Sequence, residues 1–272
     1  MLEISLAAEP IAHIGSFPIT NSLALTWLVM ALLFIISLNI SRKISLVPSH
    51  GQSIIESVIE GLYSFFESVV GHHVKALFPL IASLFLFILV ANWIGLVPGV
   101  GTVGFFHTTK EQPVVVEAQQ EGVIQEPIEE SRESEMVEAT ETKFVPLFRG
   151  PTADLNTTIA LALIAFIAIQ YFGFKTLGIK YGSRFVNLKN PIMFFVGLLE
   201  IISDISKIIS FAFRLFGNIF AGEVLLAVMA FLMPFIAPMP FLALELFVGF
   251  IQALVFSTLT AVFVNVAVSH DE

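Results

Sequence analysis

Phe211-Ala212-Phe213-Arg214-Leu215-Phe216-Gly217-Asn218-Ile219-Phe220-Ala221-Gly222-Glu223 places an arginine in the middle of an apolar helical run. A charge near a bilayer centre costs about 3 kcal/mol on insertion scales unless it is paired or hydrated, so the stretch predicts a membrane helix built around a functional charge. Arginine keeps its proton, which excludes a simple proton relay and leaves a fixed positive charge awaiting an anion. At steps of three and four, Lys207, Ser210 or Phe211, Arg214 and Asn218 share one helical face. Glu223 lies roughly half a turn round from Arg214 at about 100° per residue.

The surrounding segment, 191–233, has no internal proline after Pro191. As a helix it would run roughly 65 Å, about twice the hydrocarbon thickness, so it must tilt strongly or protrude. Pro234, Pro238 and Pro240 force a turn, and a last helix over 238–268 returns with Glu245 and Gln252 on one face. Upstream, 21–40, 76–98 and 155–176 are apolar spans bounded by charges, an aromatic or a Pro-Gly turn. Residues 52–70 repeat apolar side chains at helical spacing with Glu56, Glu60 and Glu67 on another face, which predicts an interfacial amphipathic helix. The expected fold is an all-α integral membrane protein, one membrane domain over 1–272. It has five membrane passes, with the last two helices long and tilted.

Composition agrees: 56% of the 272 residues are hydrophobic and only 13% charged, a balance foreign to water-soluble domains. Cysteine is absent, so no disulfide or thiolate metal site is available, and no metal or cofactor is expected. The net charge of -9 is concentrated between Lys110 and Lys143, where ten glutamates face three basic residues. That acidic, aromatic-poor stretch, 107–148, reads as a solvated and disordered outer loop, and the charge disfavours nucleic acid as a partner. Glu3 and Glu9 precede any basic residue, so the N-terminus lacks the basic region of a secretory signal. Arg42, Lys43, Lys75, Lys175, Lys180, Arg184 and Lys189 fall in loops on one side, which the positive-inside rule assigns to the cytoplasm. The N-terminus and the acidic loop are then outside, and His270-Asp271-Glu272 inside.

By that topology Glu223 and Glu245 lie near the outer surface, while Glu200, Ser203, Asp204, Lys207 and Ser210 open inward. Two polar half-paths ending on opposite sides of a fixed cation conduct only if a mobile group carries the ion past Arg214. No acid of this chain is placed to do so. A secondary transporter with a midplane anion site at Arg214 is the alternative; it would ordinarily show inverted repeats and broken helices, and neither is evident.

Phe213-Arg214-Leu215-Phe216-Gly217-Asn218 with Ala221-Gly222-Glu223 closely resembles the signature of subunit a of F-type ATP synthases. Asn92 to Gly99, Pro151-Thr152-Ala153-Asp154-Leu155-Asn156 and Gln252-Ala253 resemble further family motifs, so the likeness extends over nearly the whole chain. The resemblance implies a non-catalytic, ion-translocating stator subunit in a bacterial inner membrane, most simply for protons. Its partners would be an oligomeric c-ring, the peripheral-stalk b subunits and the rest of the synthase. Arg214 would face each ring carboxylate with Gln252 beside it. Asn218, Glu223 and Glu245 would line the outer half-channel with Asp154 and Asn156 nearby, and Glu200, Ser203 and Lys207 would belong to the inner one. Relatives often pair an acid with a histidine where this chain has Glu223 and Glu245, and their outer loop is shorter than 107–148.

Overall fold

The computed structural model describes residues 8–42, 49–101, 103–110, 140–185, 191–234 and 236–268. Most of the acidic segment, 111–139, lies outside the described residues, as do Glu3, Lys43, Lys189 and the tail His270-Asp271-Glu272.

A short ribbon opens the chain, β1 (Pro10–Ile14) antiparallel to β2 (Phe17–Thr20). Thr20 Oγ1 accepts the Leu23 N–H at 3.3 Å, an N-cap contact that starts α1 (Asn21–Arg42). Helix α2 (His50–Val70) begins where Ser49 Oγ accepts the Gln52 N–H. It ends at Gly71, whose φ of 63° is a left-handed value that favours glycine. One 3₁₀ turn, Gly71–His73, leads into α3 (Val74–Gly95), which continues through Pro79. An extended segment β3 (Pro98–Gly101), a ribbon of β4 (Gly104–Lys110) and β5 (Thr140–Pro146), and a 3₁₀ turn at Pro151–Ala153 follow. Then come α4 (Leu155–Leu177), α5 (Ile179–Phe185), α6 (Pro191–Leu232) and α7 (Pro238–Val268).

The fold is that of an all-α integral membrane protein. Among the described residues five helical runs are long and apolar enough to cross a membrane: α1, the α2–α3 run, α4, α6 and α7. Large apolar side chains remain exposed along them, among them Phe34, Ile54, Phe195, Phe231 and Phe247. Such a surface is stable against lipid or another protein and unstable against water.

The two ends of the expected outer loop depart from disorder. Gly104 to Lys110 pairs in register with Pro146 to Thr140, and both strands carry two threonines and at least one phenylalanine, residues that suit a pleated backbone. The loop is thereby closed at its base by backbone hydrogen bonds.

Helix α3 lies along α7, and α4 along both α6 and α7. Small residues sit at these seams: Ala162, Ala165, Ala212, Ala253 and Ala261 are buried, and Gly249 brings its backbone against Asn92. With little hydrophobic drive between helices in lipid, this close approach and interhelical hydrogen bonds supply the association. Phe211 and Phe256 pack across the α6–α7 seam with ring centroids 5.1 Å apart and planes tilted by 42°. Burial of Phe211, Ala212, Leu215 and Ile219 fixes the rotation of α6 and leaves Phe213, Arg214, Gly217 and Asn218 on its open face.

Candidate functional site

The polar residues fall at three levels along α6. At the first, the turn before α4 is locked to α3 and α7. Thr152 Oγ1 donates to Asn92 Oδ1 at 2.6 Å, Asn92 Nδ2 donates to the Gly249 carbonyl at 3.0 Å, and Trp93 Nε1 donates to the Leu246 carbonyl at 3.1 Å. Inside this frame is a narrow cavity of about 10 Å³, room for about one water, walled by Asn92, Gly150, Thr152, Ile219, Glu223 and Glu245. Glu245 is buried with one carboxyl oxygen lacking a hydrogen-bond partner, and its carboxyl lies against Gly222, where no side chain intervenes. Glu223 is more open, and its Oε2 stands 3.6 Å from Nε of Arg149, a guanidinium only 10% exposed.

Arg149 is absent from the sequence-derived candidates. It lies in a loop without periodicity and meets Glu223 across a long stretch of chain. The available signal was a basic residue directly before Gly150-Pro151, on the side where the charge rule expects few. Asp154 and Asn156, which the resemblance sets near the outer half-channel, make local contacts at the start of α4. Asp154 is buried as the N-cap of α4, its Oδ1 accepting from the Asn156 backbone at 3.2 Å and its Oδ2 from the Ser22 hydroxyl of α1 at 2.8 Å. Asn156 also donates its Nδ2 to Asp154 at 3.4 Å. Asp154 thereby anchors α1 to the start of α4, and Asn156 holds the Asp154 carboxylate in place.

At the second level Asn218 Nδ2 donates to Oε1 of Gln252 at 2.7 Å, joining the open face of α6 to a buried amide of α7. One turn back, Arg214 is exposed, with Nη2 reaching Ser210 Oγ at 3.5 Å. The serine hydroxyl leaves the charge of the guanidinium uncompensated. At the third level Lys207 Nζ meets Asp204 Oδ1 at 2.7 Å, and Gln170 Nε2 of α4 donates to Asp204 Oδ2 at 2.9 Å. Lys207 also stands 5.1 Å over the Phe263 ring. Gln170 is a second residue that sequence reading passed over. An open groove of about 380 Å³ runs from this level to the arginine, lined by Ser203, Lys207, Ser210, Arg214, Leu259 and Phe263. Glu200 is half-buried one turn from Asp204 and is not on that groove's wall.

Chemically, the first level offers two carboxyl groups that can exchange a monovalent cation, and the third offers a wide polar groove. Arg214 presents a permanent positive charge between them on an uncovered helix face.

The family model described as "ATP synthase A chain" matches residues 23–265. The chain is 34% identical over 248 residues to the ATP synthase subunit a of Geotalea uraniireducens, covering 90% of this chain and 86% of that one. It is 30% identical over 265 residues to that of Trichlorobacter lovleyi, covering 96% and 93%, and 31% identical over 266 residues to that of Syntrophobacter fumaroxidans, covering 96% and 90%.

Proposed function

The chain belongs to the ATP synthase A chain family, a membrane-sector and not a catalytic subunit, and from that footing we propose that it couples ion flow to rotation through two offset half-paths separated by Arg214. One observation carries the reading: Arg214 is exposed on the open face of α6, between the cavity at Glu223 and Glu245 and the groove at Ser203 and Lys207. A lone guanidinium there calls for a counter-anion from another protein. The carboxylates of an oligomeric c-ring supply it.

In this mechanism a monovalent ion, most simply a proton, enters past Glu223 and Glu245 and neutralises a ring carboxylate, which may then face lipid. A membrane potential contributes about 2.3 kcal/mol per charge per 100 mV to that step. After nearly a full turn the site reaches the groove at Ser203 and Lys207. There the field of Arg214 favours the ionised acid, the ion leaves, and the carboxylate passes the arginine as a pair. Asn218 and Gln252 flank the arginine on the outer side and Glu200 extends the inner route. The long α6 and α7 lie tilted against the ring, α2 lies at the membrane surface, and the peripheral-stalk b subunits hold the chain as stator. The setting is a bacterial inner membrane with the N-terminus outside and the C-terminus in the cytoplasm.

Replacing Arg214 by Lys tests this. A single ammonium on a different stem lacks the planar fork, so coupled ATP synthesis is expected to be lost although charge is kept. Normal synthesis by that variant in membranes that contain the assembled complex would overturn the assignment.

A further inference from the structure

We propose that Arg149 is a positioning residue of the outer path: it holds the Glu223 carboxylate at the rim of the cavity shared with Glu245. The inference deepens the half-path reading and rests on it.

The geometry is specific. Arg149 is nearly buried and reaches Glu223 through Nε at 3.6 Å. The next residue, Gly150, forms part of the cavity wall, and a Cβ there would stand 3.1 Å from the other Glu223 oxygen. Pro151 then starts the turn whose Thr152 is tied to Asn92. The guanidinium is therefore mounted on a backbone braced against α3, and Glu223 is confined between that backbone and Glu245.

A fixed ion pair holds the Glu223 carboxylate where the cavity opens; without the guanidinium the side chain loses that anchor and its carboxylate leaves its position at the rim. From α7 the charged group facing Glu223 is Glu245; α3 and the 151–153 turn present the uncharged Asn92 and Thr152. Among the described residues Asp154 also lies at this end of the bundle, turned to Ser22 and Asn156, and Glu9, whose backbone carbonyl accepts the Asn21 N–H, enters it beside α1.

ATP-driven pumping by the whole complex in inverted membrane vesicles reads the effect, normalised to ATPase activity and to the amount of subunit in the membrane. Arg149→Gln is expected to slow pumping roughly tenfold, and Arg149→Lys about two- to threefold, the range of coupling between directly paired charges. In a Glu223→Gln background both substitutions should then have no further effect, because their target is gone. A helix-bracing role for Arg149 would instead multiply with Glu223→Gln. Wild-type pumping by Arg149→Gln, or a slowdown that persists undiminished with Glu223→Gln, overturns the proposal. Should Arg149→Gln fail to assemble, Arg149→Lys with and without Glu223→Gln decides it alone. The wider reading fails on a different variant, Arg214→Lys, so the two failures are distinguishable.

Discussion

Asn218 and Gln252 share a 2.7 Å hydrogen bond that carries the polar edge of α6 into the interior of α7, one turn beyond Arg214. Gln252 is buried, and its Nε2 has no hydrogen-bond partner among the described residues. A buried amide left half-used marks a place where polarity is kept despite a desolvation cost. Gln252→Leu removes the acceptor and leaves the Asn218 amide facing hydrocarbon, a loss of ~1–3 kcal/mol. Gln252→Glu keeps an acceptor for Asn218 Nδ2. ATP-driven pumping in inverted vesicles is expected to fall about tenfold in the Leu variant, as such a loss would produce at the moving interface, and distinctly less in the Glu variant. Equal activities would show that the bond to Asn218 is idle.

Asn92 joins three elements at once, taking the Thr152 hydroxyl and giving to the Gly249 carbonyl. Asn92→Leu keeps the branched outline but is bulkier and leaves the buried Thr152 hydroxyl without its acceptor, so ~1–3 kcal/mol of stability is at stake. Thr152→Ser keeps the hydroxyl and should be close to neutral. Thermal denaturation of the detergent-solubilised complex, followed through release of this subunit, orders the two: the Leu variant clearly below the parent and the Ser variant beside it.

The helices were legible because lipid imposes a simple code. Charge-free runs of about twenty residues, closed by Arg42, by Trp93 near Pro98, or by Lys175, can do little else. The long α6 followed from the absence of proline between Pro191 and Pro234, and its end at Leu232 lies just before that proline. The separation of Arg214 from Glu223 on opposite sides of α6 followed from periodicity alone. What escaped was non-local. Arg149 finds Glu223 and Gln170 finds Asp204 only after α4 and α6 have packed. The β4–β5 ribbon pairs only the flanks of the acidic insert, 104–110 with 140–146, a long-range register that local composition does not carry. The capping contacts of Asp154 were hidden for a related reason. An acid ahead of a helix suits both a water path and an N-cap, and only the Ser22 contact of α1 reveals the capping role.

Beside the groove below Arg214, Asp204 receives Lys207 on one oxygen and Gln170 on the other. Lys207 is further held over Phe263, which limits its freedom more than a surface ion pair would. Because both partners act through the same carboxylate, Gln170→Leu and Lys207→Gln should be non-additive. Their double-mutant coupling in thermal stability of the complex is expected at ~0.5–3 kcal/mol. Simple additivity would mean that Asp204 does not connect them.

Gly222 tests the cavity from its other wall. A Cβ at this position would overlap the Glu245 carboxyl, the mobile end of a long side chain rather than fixed backbone. The helices can therefore survive Gly222→Ala, provided that Glu245 swings out of the cavity it shares with Glu223. The subunit is expected at near-normal abundance in the membrane, with ATP-driven pumping reduced to the level of Glu245→Gln. Adding Glu245→Asp to Gly222→Ala withdraws the carboxyl by one methylene and makes room for the new methyl group, so it should restore part of the pumping. If Gly222→Ala instead removes the subunit from the membrane, the glycine serves helix packing and the carboxyl contact is incidental.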